Sequence, residues 1–329
     1  MYDIIAFGSA TQDVFMSSHE LKVVEDEKFI TKKGLCVPLG SKMFMENIFF
    51  AMGGCGTNTA VTFARQGLKA AYLGLIGQDC SGQIIKDELN NQGVSLELLK
   101  ETNKWPTAYS VILSLPEIGR SILKKTGACH YMAEGDIPFD KVKTKWVYLG
   151  SLSRESYKIV EPMVNFAKEN NIKVAANPVG DTQLTVGLEN LRSLLNKMDI
   201  LVVNQEEAAR LTDLDFKKEK EIFQKLDKLV EGIVVMTKGP KGVTVSDGKD
   251  LYSAGIPKSG LVDRTGAGDA FGSGFMTGYI AKQDIAHAIQ LGTANATACL
   301  QKLGATKGLL KKDDWGEWEK VRVVKELKI

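Results

Sequence analysis

The chain has 329 residues, of which 44% are hydrophobic, so it is long enough for one large α/β domain with a smaller appendage. Its 42 basic and 40 acidic residues give a formal net charge of +2, which gives no case for a nucleic-acid or membrane-surface partner. The five cysteines are scattered without a CxxC pair, and the first residues resemble a buried strand and not a leader peptide. These features predict a cytoplasmic protein with free thiols.

Strand-like and helical patterns alternate along the chain. Strands are expected at 3–8, 70–77, 145–152, 172–178, 198–204, 232–239 and 242–248. Helical spacing lies between most of them, at 57–67, 81–92, 154–170, 184–196, 205–211 and 219–230. Such alternation with continuously apolar strands predicts an α/β fold in which helices cover both faces of a mostly parallel sheet. Sheets of this kind bind ligands at the carboxyl ends of their strands.

Two segments interrupt the alternation. Residues 14–50 contain short apolar clusters around a charged middle, and residues 107–125 contain two β-runs around a Pro/Gly turn. Both segments are interpreted as antiparallel strands of one small β-sheet that forms a lid, with 1–13, 51–106 and 126–329 as the main domain. The alternative is that they are surface loops with short strands. The charged tail, 311–329, is expected to pack against the domain without taking part in chemistry.

The stretch VDRTGAGDAFGSGF, residues 262–275, places small residues where a loop becomes a helix. The first amides of a helix lack internal partners and carry the positive end of its dipole, so Gly266, Ala267 and Gly268 predict an anion hole. Neither GxxxxGK[ST] nor a complete GxGxxG occurs here. Asp269 then lies beside the anion, either as a base that takes a proton from an attacking alcohol or as a helix cap.

This stretch resembles the C-terminal signature of the ribokinase-like (PfkB) carbohydrate kinases. Further stretches resemble other parts of the family pattern in the right order: GSATQD (8–13), GGCGTNTAVTFARQG (53–67), NQEEA (204–208) and TKGPKG (237–242). The resemblance implies a three-layer α/β/α fold with a small β lid. It also implies an ATP-dependent kinase that uses Mg²⁺ to phosphorylate a hydroxymethyl group of a sugar, with Asp269 as the base.

The resemblance assigns the acceptor to Asp13, Gly53, Gly54 and Asn58. Asp13 is placed at the end of the first strand, where a carboxylate accepts sugar hydroxyls. A simple turn-forming Asp remains open there, as does a helix-capping role for Thr57 or Asn58.

The resemblance assigns the nucleotide to Asn204, Thr237, Gly239, Gly242 and Asn295, the last of these near the adenine. In the family, Asn204 and Glu207 organise Mg²⁺ through water. From spacing alone, these two residues also form a capping box, and TKGPKG is also compatible with a plain β-turn.

Asp263 and Thr265, with the later Gly304–Ala305 pair, correspond to residues that bind a monovalent cation, often K⁺, in many relatives. Such a cation is therefore a further expectation of the resemblance. It would orient the anion hole without touching the acceptor.

Two functional alternatives to the sugar kinase stay open at this point. One is a sugar- or nucleotide-binding sensor with a kinase fold. Another is a nucleoside kinase of the same fold, in which Phe44, Met45, Phe49 and Phe50 supply an apolar wall for a base. The same aromatic residues are also compatible with lid packing or with a homodimer formed through the lid. The sequence does not distinguish ATP from ADP as donor.

Overall fold

The structure is a computed structural model that describes residues 1–29, 32–115, 119–152, 154–178 and 188–327. Some residues of the ranges assigned from the sequence lie outside the described residues, namely 30–31, 116–118, 153, 179–187 and 328–329. The first four residues of the helix expected over 184–196 are among them. The strands are β1 (Tyr2–Phe7), β2 (Thr11–Ser17), β3 (Lys22–Glu25), β4 (Lys33–Cys36), β5 (Asn47–Gly53), β6 (Ala70–Gly77), β7 (Leu99–Thr102), β8 (Ala108–Leu115), β9 (Gly119–Lys125), β10 (Thr144–Leu149), β11 (Lys173–Ala176), β12 (Ile200–Asn204), β13 (Ile233–Thr237), β14 (Val243–Ser246), β15 (Asp250–Ala254) and β16 (Val323–Leu327).

The main sheet has ten strands in the order β16-β15-β14-β13-β12-β11-β10-β1-β6-β7. The run from β13 to β7 is parallel, and β14, β15 and β16 extend it in antiparallel pairs. Central strands such as β6 are buried along their whole length, because helices cover both faces of a parallel sheet. All seven strands expected for this sheet are present. The other three strands of the sheet, β7, β15 and β16, were not predicted. The last of these, β16, shows that the charged tail adds an edge strand.

Helices lie on both faces of this sheet. They are α1 (Cys55–Arg65), α2 (Cys80–Asn91), α3 (Val160–Glu169), α4 (Leu188–Leu194), α5 (Gln205–Thr212), α6 (Glu219–Leu229), α7 (Ala267–Lys282) and α8 (Ile285–Leu300). One hydrophobic core joins the sheet to α3, α4, α5 and α6, and a second joins it to α1, α2, α7 and α8. The predicted three-layer α/β/α architecture is therefore confirmed.

A separate sheet is formed by the order β5-β2-β8-β9, drawn from both segments that interrupt the alternation. We refer to this sheet as the lid sheet. β2 pairs antiparallel with β5, and β8 pairs antiparallel with β9, but β2 and β8 pair in parallel. The small antiparallel sheet expected from the sequence is therefore present, with one parallel pair at its centre. The two excursions leave the main domain in the same direction, so their first strands lie parallel. The two-stranded sheet β3-β4 completes the first excursion.

The lid strands begin and end inside the ranges that the sequence assigned to the main domain, because β2 starts at Thr11 and β5 ends at Gly53. Asp13 accordingly lies within β2 and not at the end of β1, which stops at Phe7. The reason is that the segment 8–10 turns beneath the start of α1, where a Cβ at Gly8 would lie 2.9 Å from the amide nitrogen of Gly56. Across the described part of the chain, the helices are too short or too polar to span a bilayer.

Candidate active site

The amino terminus of α7 is built for close approach by a ligand. Its N-cap, Gly266, has φ 77°, and a Cβ there would lie 2.4 Å from the Cβ of Ala305. Only glycine fits this conformation and this spacing. A Cβ at Gly268 would have no described atom within 4 Å, so open space lies above the first turn. Ala267 N makes a long hydrogen bond of 3.4 Å to Arg264 O, and the amides of Gly268 and Asp269 have no partner further back in the helix, so they are available as donors for an anion.

Asp269 lies in the first turn of α7 and is held by a residue from another helix. Asn58 Nδ2, in α1, donates a hydrogen bond of 2.8 Å to Asp269 Oδ2. The N-cap of α7 is Gly266, and the side chain of Asp269 bonds to Asn58 of another helix, which favours a base over a helix cap. Burial raises the pKa of Asp269, while the Asn58 hydrogen bond opposes the rise. A carboxylate with a raised pKa is a stronger base, as general-base catalysis requires.

Asn58 has a second polar atom that faces the site. Its Oδ1 is buried and has no hydrogen-bond partner among the described residues. The N-cap of α1 is Gly54 and carries no side-chain cap bond, and the Thr57 hydroxyl donates instead to Gly53 O at 2.8 Å. The helix-capping interpretation of Thr57 and Asn58 was therefore wrong. A buried acceptor without a donor is costly unless a ligand supplies one, and an acceptor hydroxyl would do so.

Asp13 reaches the same region from the lid sheet. A Cβ at Gly53 would lie 2.0 Å from Asp13 Oδ2, so glycine at this position makes room for the carboxylate. Burial raises the pKa of Asp13 to about 6, although a hydrogen bond from Ser110 and the charges of Lys124 and Arg120 act in the opposite direction. Asp13 thus lies beside Gly53, and Gly54 and Asn58 come within five residues after Gly53 in the sequence. The four residues assigned to the acceptor are therefore brought together.

Asn204 and Glu207 form the capping box that their spacing predicts. Asn204 N donates to Glu207 Oε2 at 2.8 Å, and Glu207 N donates to Asn204 Oδ1 at 2.9 Å. This cap fixes both side chains at the carboxyl end of β12. Carboxylate and amide oxygens suit Mg²⁺, which keeps several of its waters, so the residues present fit an ion held indirectly.

The hydroxyl of Tyr148 lies against α7, where a Cβ at Gly272 would be 2.5 Å from it. This hydroxyl is buried and has no hydrogen-bond partner among the described residues. Burial raises the pKa of Tyr148 well above its ordinary value, and the negative charges of Asp269 and Glu207 raise it further.

A cavity of about 440 Å³ adjoins the first turn of α7. Thr237, Gly239 and Gly242 line it, as expected for nucleotide residues, and the loop they occupy joins β13 to β14. The other lining residues are Pro240, Ile256, Pro257, Ser259, Gly260, Leu261, Arg264, Ala267, Gly268, Phe271, Thr293, Ala296, Thr297 and Leu300. The volume and the mainly apolar walls suit a ligand with a planar aromatic ring, such as a nucleobase, whose polar end is directed at α7.

Asn295 does not reach this cavity. It is fully buried, donates to Ala270 O at 2.8 Å and accepts from Leu310 N at 2.9 Å, so it joins α8 to α7 and to the segment that follows. The sequence chose a helix that does line this cavity, but Asn295 lies on another face of it. Thr293, Ala296, Thr297 and Leu300 line the cavity instead, and their spacing of three and four residues is the signal that could have found them.

Asp263 and Thr265, expected to bind a monovalent cation, lie together before α7. Asp263 is buried, and its Oδ2 accepts from Gly304 N at 3.1 Å. Arg120 of the lid sheet, which was not predicted as a site residue, donates from its guanidinium to both side chains. While Arg120 holds this position, the pair does not fit a separate monovalent ion.

Comparisons with known proteins place the chain in a family. The model of the pfkB family carbohydrate kinases matches residues 30–312. The chain belongs to the pfkB family of carbohydrate kinases. It is 28% identical to the ribokinase of Haemophilus influenzae, over 82% of this chain and 88% of that protein. As a member of this family it is a phosphotransferase with an alcohol acceptor, a sugar or nucleoside kinase of the ribokinase type.

Solved structures agree on the fold. The structure of Arabidopsis thaliana ribokinase complexed with ribose and ATP superimposes with a TM-score of 0.76 at 24% identity, covering 94% of this chain and 96% of that one. The adenosine kinase of Sinorhizobium meliloti gives a TM-score of 0.75 at 22% identity, with coverage of 93% and 95%. At these identities the likeness establishes the ribokinase fold of this pfkB family member.

Proposed function

We propose that this pfkB family protein transfers the γ-phosphoryl group of ATP to a hydroxymethyl group of a sugar. The observation that carries the proposal is the contact between Asn58 and Asp269. It joins the segment assigned to the acceptor with the first turn of α7, which faces the nucleotide-sized cavity. The relatives support both reactants, since one similar structure is a ribokinase complexed with ribose and ATP.

In this proposal Asp269 takes the proton of the attacking hydroxyl. The O–H bond breaks as the acceptor oxygen bonds to phosphorus, and the bond from phosphorus to the ADP oxygen breaks with its electron pair. Asn58 Nδ2 orients the carboxylate, while Asn58 Oδ1 accepts from a hydroxyl of the acceptor. Asp13, ionised above its pKa, accepts further hydroxyl hydrogen bonds from the lid side.

The amides of Gly266, Ala267, Gly268 and Asp269 stabilise the charge on the transferring group. Thr237, Gly239 and Gly242 hold the nucleotide's phosphates and ribose. Mg²⁺ supplies charge neutralisation on the phosphate oxygens, and Glu207, fixed by its cap, holds its water shell. In this proposal residues 14–50 and 107–125 form the lid, and the remaining ranges form the main domain. The lid excludes water, which would otherwise compete with the acceptor for the phosphoryl group.

The lid sheet also carries the proposed dimer contact. Phe50, Val14, Val111 and Leu123 lie in register across its four strands and therefore share a face opposite to Asp13. Phe50 and Leu123 are more than half exposed on that face, as is Ile48 two residues along β5. Exposed apolar groups clustered on one sheet face are typical of a protein contact, so we propose a homodimer through this face.

The test is an assay of ADP release with Mg-ATP against pentoses, hexoses, sugar acids, sugar phosphates and nucleosides. We expect one class of acceptor to be turned over, and Asp269→Asn to lower kcat by about 10² to 10⁴-fold, because the base is lost. The matched control is Asp284→Asn, which changes a carboxylate at the start of the neighbouring helix α8 and leaves kcat unchanged.

Three results would count against the proposal in different ways. Turnover of nucleosides but not of free sugars would replace the sugar by a nucleoside acceptor. ADP in place of ATP as the active donor would correct the donor. Nucleotide binding without turnover of any acceptor would favour a sensor.

A further inference from the structure

Arg120 lies at the start of β9, on the face of the lid sheet that carries Asp13. Across the sheet, Asp13 is in register with Ser110, and Ser110 with Lys124. Four residues along each strand, Arg120 is in register with Ser114, which pairs with Ser17. Side chains two and four residues apart on a strand share a face, so Arg120 and Asp13 both face the main domain.

The guanidinium of Arg120 is inserted into the loop that leads to α7. Its Nη1 donates to Asp263 Oδ1 and, at 2.5 Å, to Thr265 Oγ1. The same Asp263 oxygen also accepts from Thr265 N at 3.1 Å and from Thr265 Oγ1 at 2.9 Å. Each oxygen of the Asp263 carboxylate therefore has its donors, and one of these donors carries a full positive charge.

The Asp263 and Arg120 side chains differ in burial, and this difference decides how much their ion pair contributes to stability. The Asp263 side chain is 6% exposed and the Arg120 side chain 32% exposed. An ion pair between exposed groups contributes little, but a buried carboxylate without a counter-charge is strongly destabilising. The loop before the anion hole thus depends on a positive charge at Asp263, and the lid provides it.

We propose that Arg120 is the resident cation of the anion-hole loop. It takes the place of a monovalent ion at Asp263 and Thr265 and couples the geometry of the first turn of α7 to the position of the lid. Only Gly266 separates Thr265 from α7, so a shift at Thr265 is passed directly to the anion-hole amides. When the lid moves away, Asp263 loses its counter-charge and the loop loses the contact that fixes it.

The test is a comparison of cations at constant ionic strength, with K⁺, Na⁺ or tetramethylammonium as the salt. Arg120→Met keeps most of the apolar stem and removes the charge. We expect the wild-type protein to have the same melting temperature in all three salts. We expect the melting temperature of Arg120→Met to be lowest in tetramethylammonium and to rise by several degrees in K⁺, because the ion then fills the vacated position.

Two further variants make the result specific. Lys124→Met removes the same charge from the same face of the same strand and should behave as the wild type in every salt. Arg120→Lys keeps the charge without the planar fork and should remain independent of K⁺; it also serves if Arg120→Met fails to fold. A wild-type protein stabilised by K⁺, or an Arg120→Met variant insensitive to all three salts, would overturn the proposal.

The activity measurement rests on the proposed kinase function, whereas the melting measurement does not. For activity, we expect kcat of Arg120→Met to fall at least tenfold in tetramethylammonium and to recover in K⁺ or with millimolar guanidinium. If no acceptor is turned over, the proposed function fails while the cation dependence of melting still decides the role of Arg120. If turnover is normal but Arg120→Met is unaffected by the salts, the role of Arg120 fails alone.

Discussion

The two sides of the candidate site are built in different ways. On the main domain, the loop from Asp263 and the first turn of α7 are contiguous in sequence, and backbone amides and a glycine at φ 77° make the anion hole. On the lid, Asp13 and Arg120 are more than 100 residues apart and meet only through the register of β2, β8 and β9. The first side is a local property of the chain and the second is a property of the assembled sheet. Changes on the first side should therefore alter catalysis most, and changes on the lid should alter binding and its dependence on conditions.

The main-domain side is tested by Gly266→Ala. The new Cβ would lie 2.4 Å from the Cβ of Ala305, and φ 77° is unfavourable for alanine, so the anion-hole amides must shift. We expect kcat to fall by about 10²-fold, the effect of misplacing reacting groups by roughly 1 Å.

Gly93→Ala is the matched control, because Gly93 has the same φ of 77° but its added Cβ has no described atom within 4 Å. Both substitutions cost backbone strain of about 1 kcal/mol, measurable by denaturant unfolding. Only Gly266→Ala should also lower kcat. Equal kcat values for the two variants would show that the anion hole does not depend on this close approach.

The same contrast explains what the sequence could predict. The anion hole, Asp269 and the loop with Thr237 follow from motifs whose members are neighbours in sequence. The structure places the loop and the first turn of α7 around one cavity, and Asp269 follows directly in that turn. Arg120 carries no local signal, because its role depends on which strand lies beside β8. Asp13 was predicted as a site residue but was placed on the wrong strand. Asn295 was misplaced because polarity alone does not tell whether an amide faces a ligand or joins two helices.

The lid side is tested by the pH dependence of Asp13. Because its pKa in the folded protein is about 6, above the ordinary value near 4, the folded state holds a proton that the unfolded state has lost between these pH values. The contribution of Asp13 to the free energy of unfolding is therefore fully present below pH 4 and is lost as the pH rises through 6. We expect the melting temperature of Asp13→Asn to rise relative to the wild type from pH 4 to pH 7.

Acceptor binding should change in the opposite sense. The ionised Asp13 accepts hydroxyl hydrogen bonds, so the acceptor KM of the wild type should fall as the pH rises through 6. Asp13→Asn should raise this KM by about tenfold at pH 7.5, the effect of losing a hydrogen bond to a charged group. Asp3→Asn is the control, since a hydrogen bond from Lys145 lowers the pKa of Asp3 and its stability effect has the opposite sign. A wild-type KM that does not change between pH 5 and 7.5 would remove Asp13 from the acceptor site.

The smallest effect on catalysis is expected from the outer face of the lid sheet, which faces away from Asp13 and Arg120. Phe50 is 58% exposed there, and Phe50→Glu should change kcat by less than twofold because a substitution on an exposed face barely alters the fold. It should convert a dimer into a monomer in sedimentation, because a charge buried without a partner in the contact is costly. Phe44→Glu changes another exposed aromatic residue, outside the four lid strands, and should leave the dimer intact. A wild-type monomer at tens of micromolar would remove the proposed dimer, whereas a dimer that survives Phe50→Glu would place the contact elsewhere. Either result would leave the inner face of the lid sheet as its functional surface.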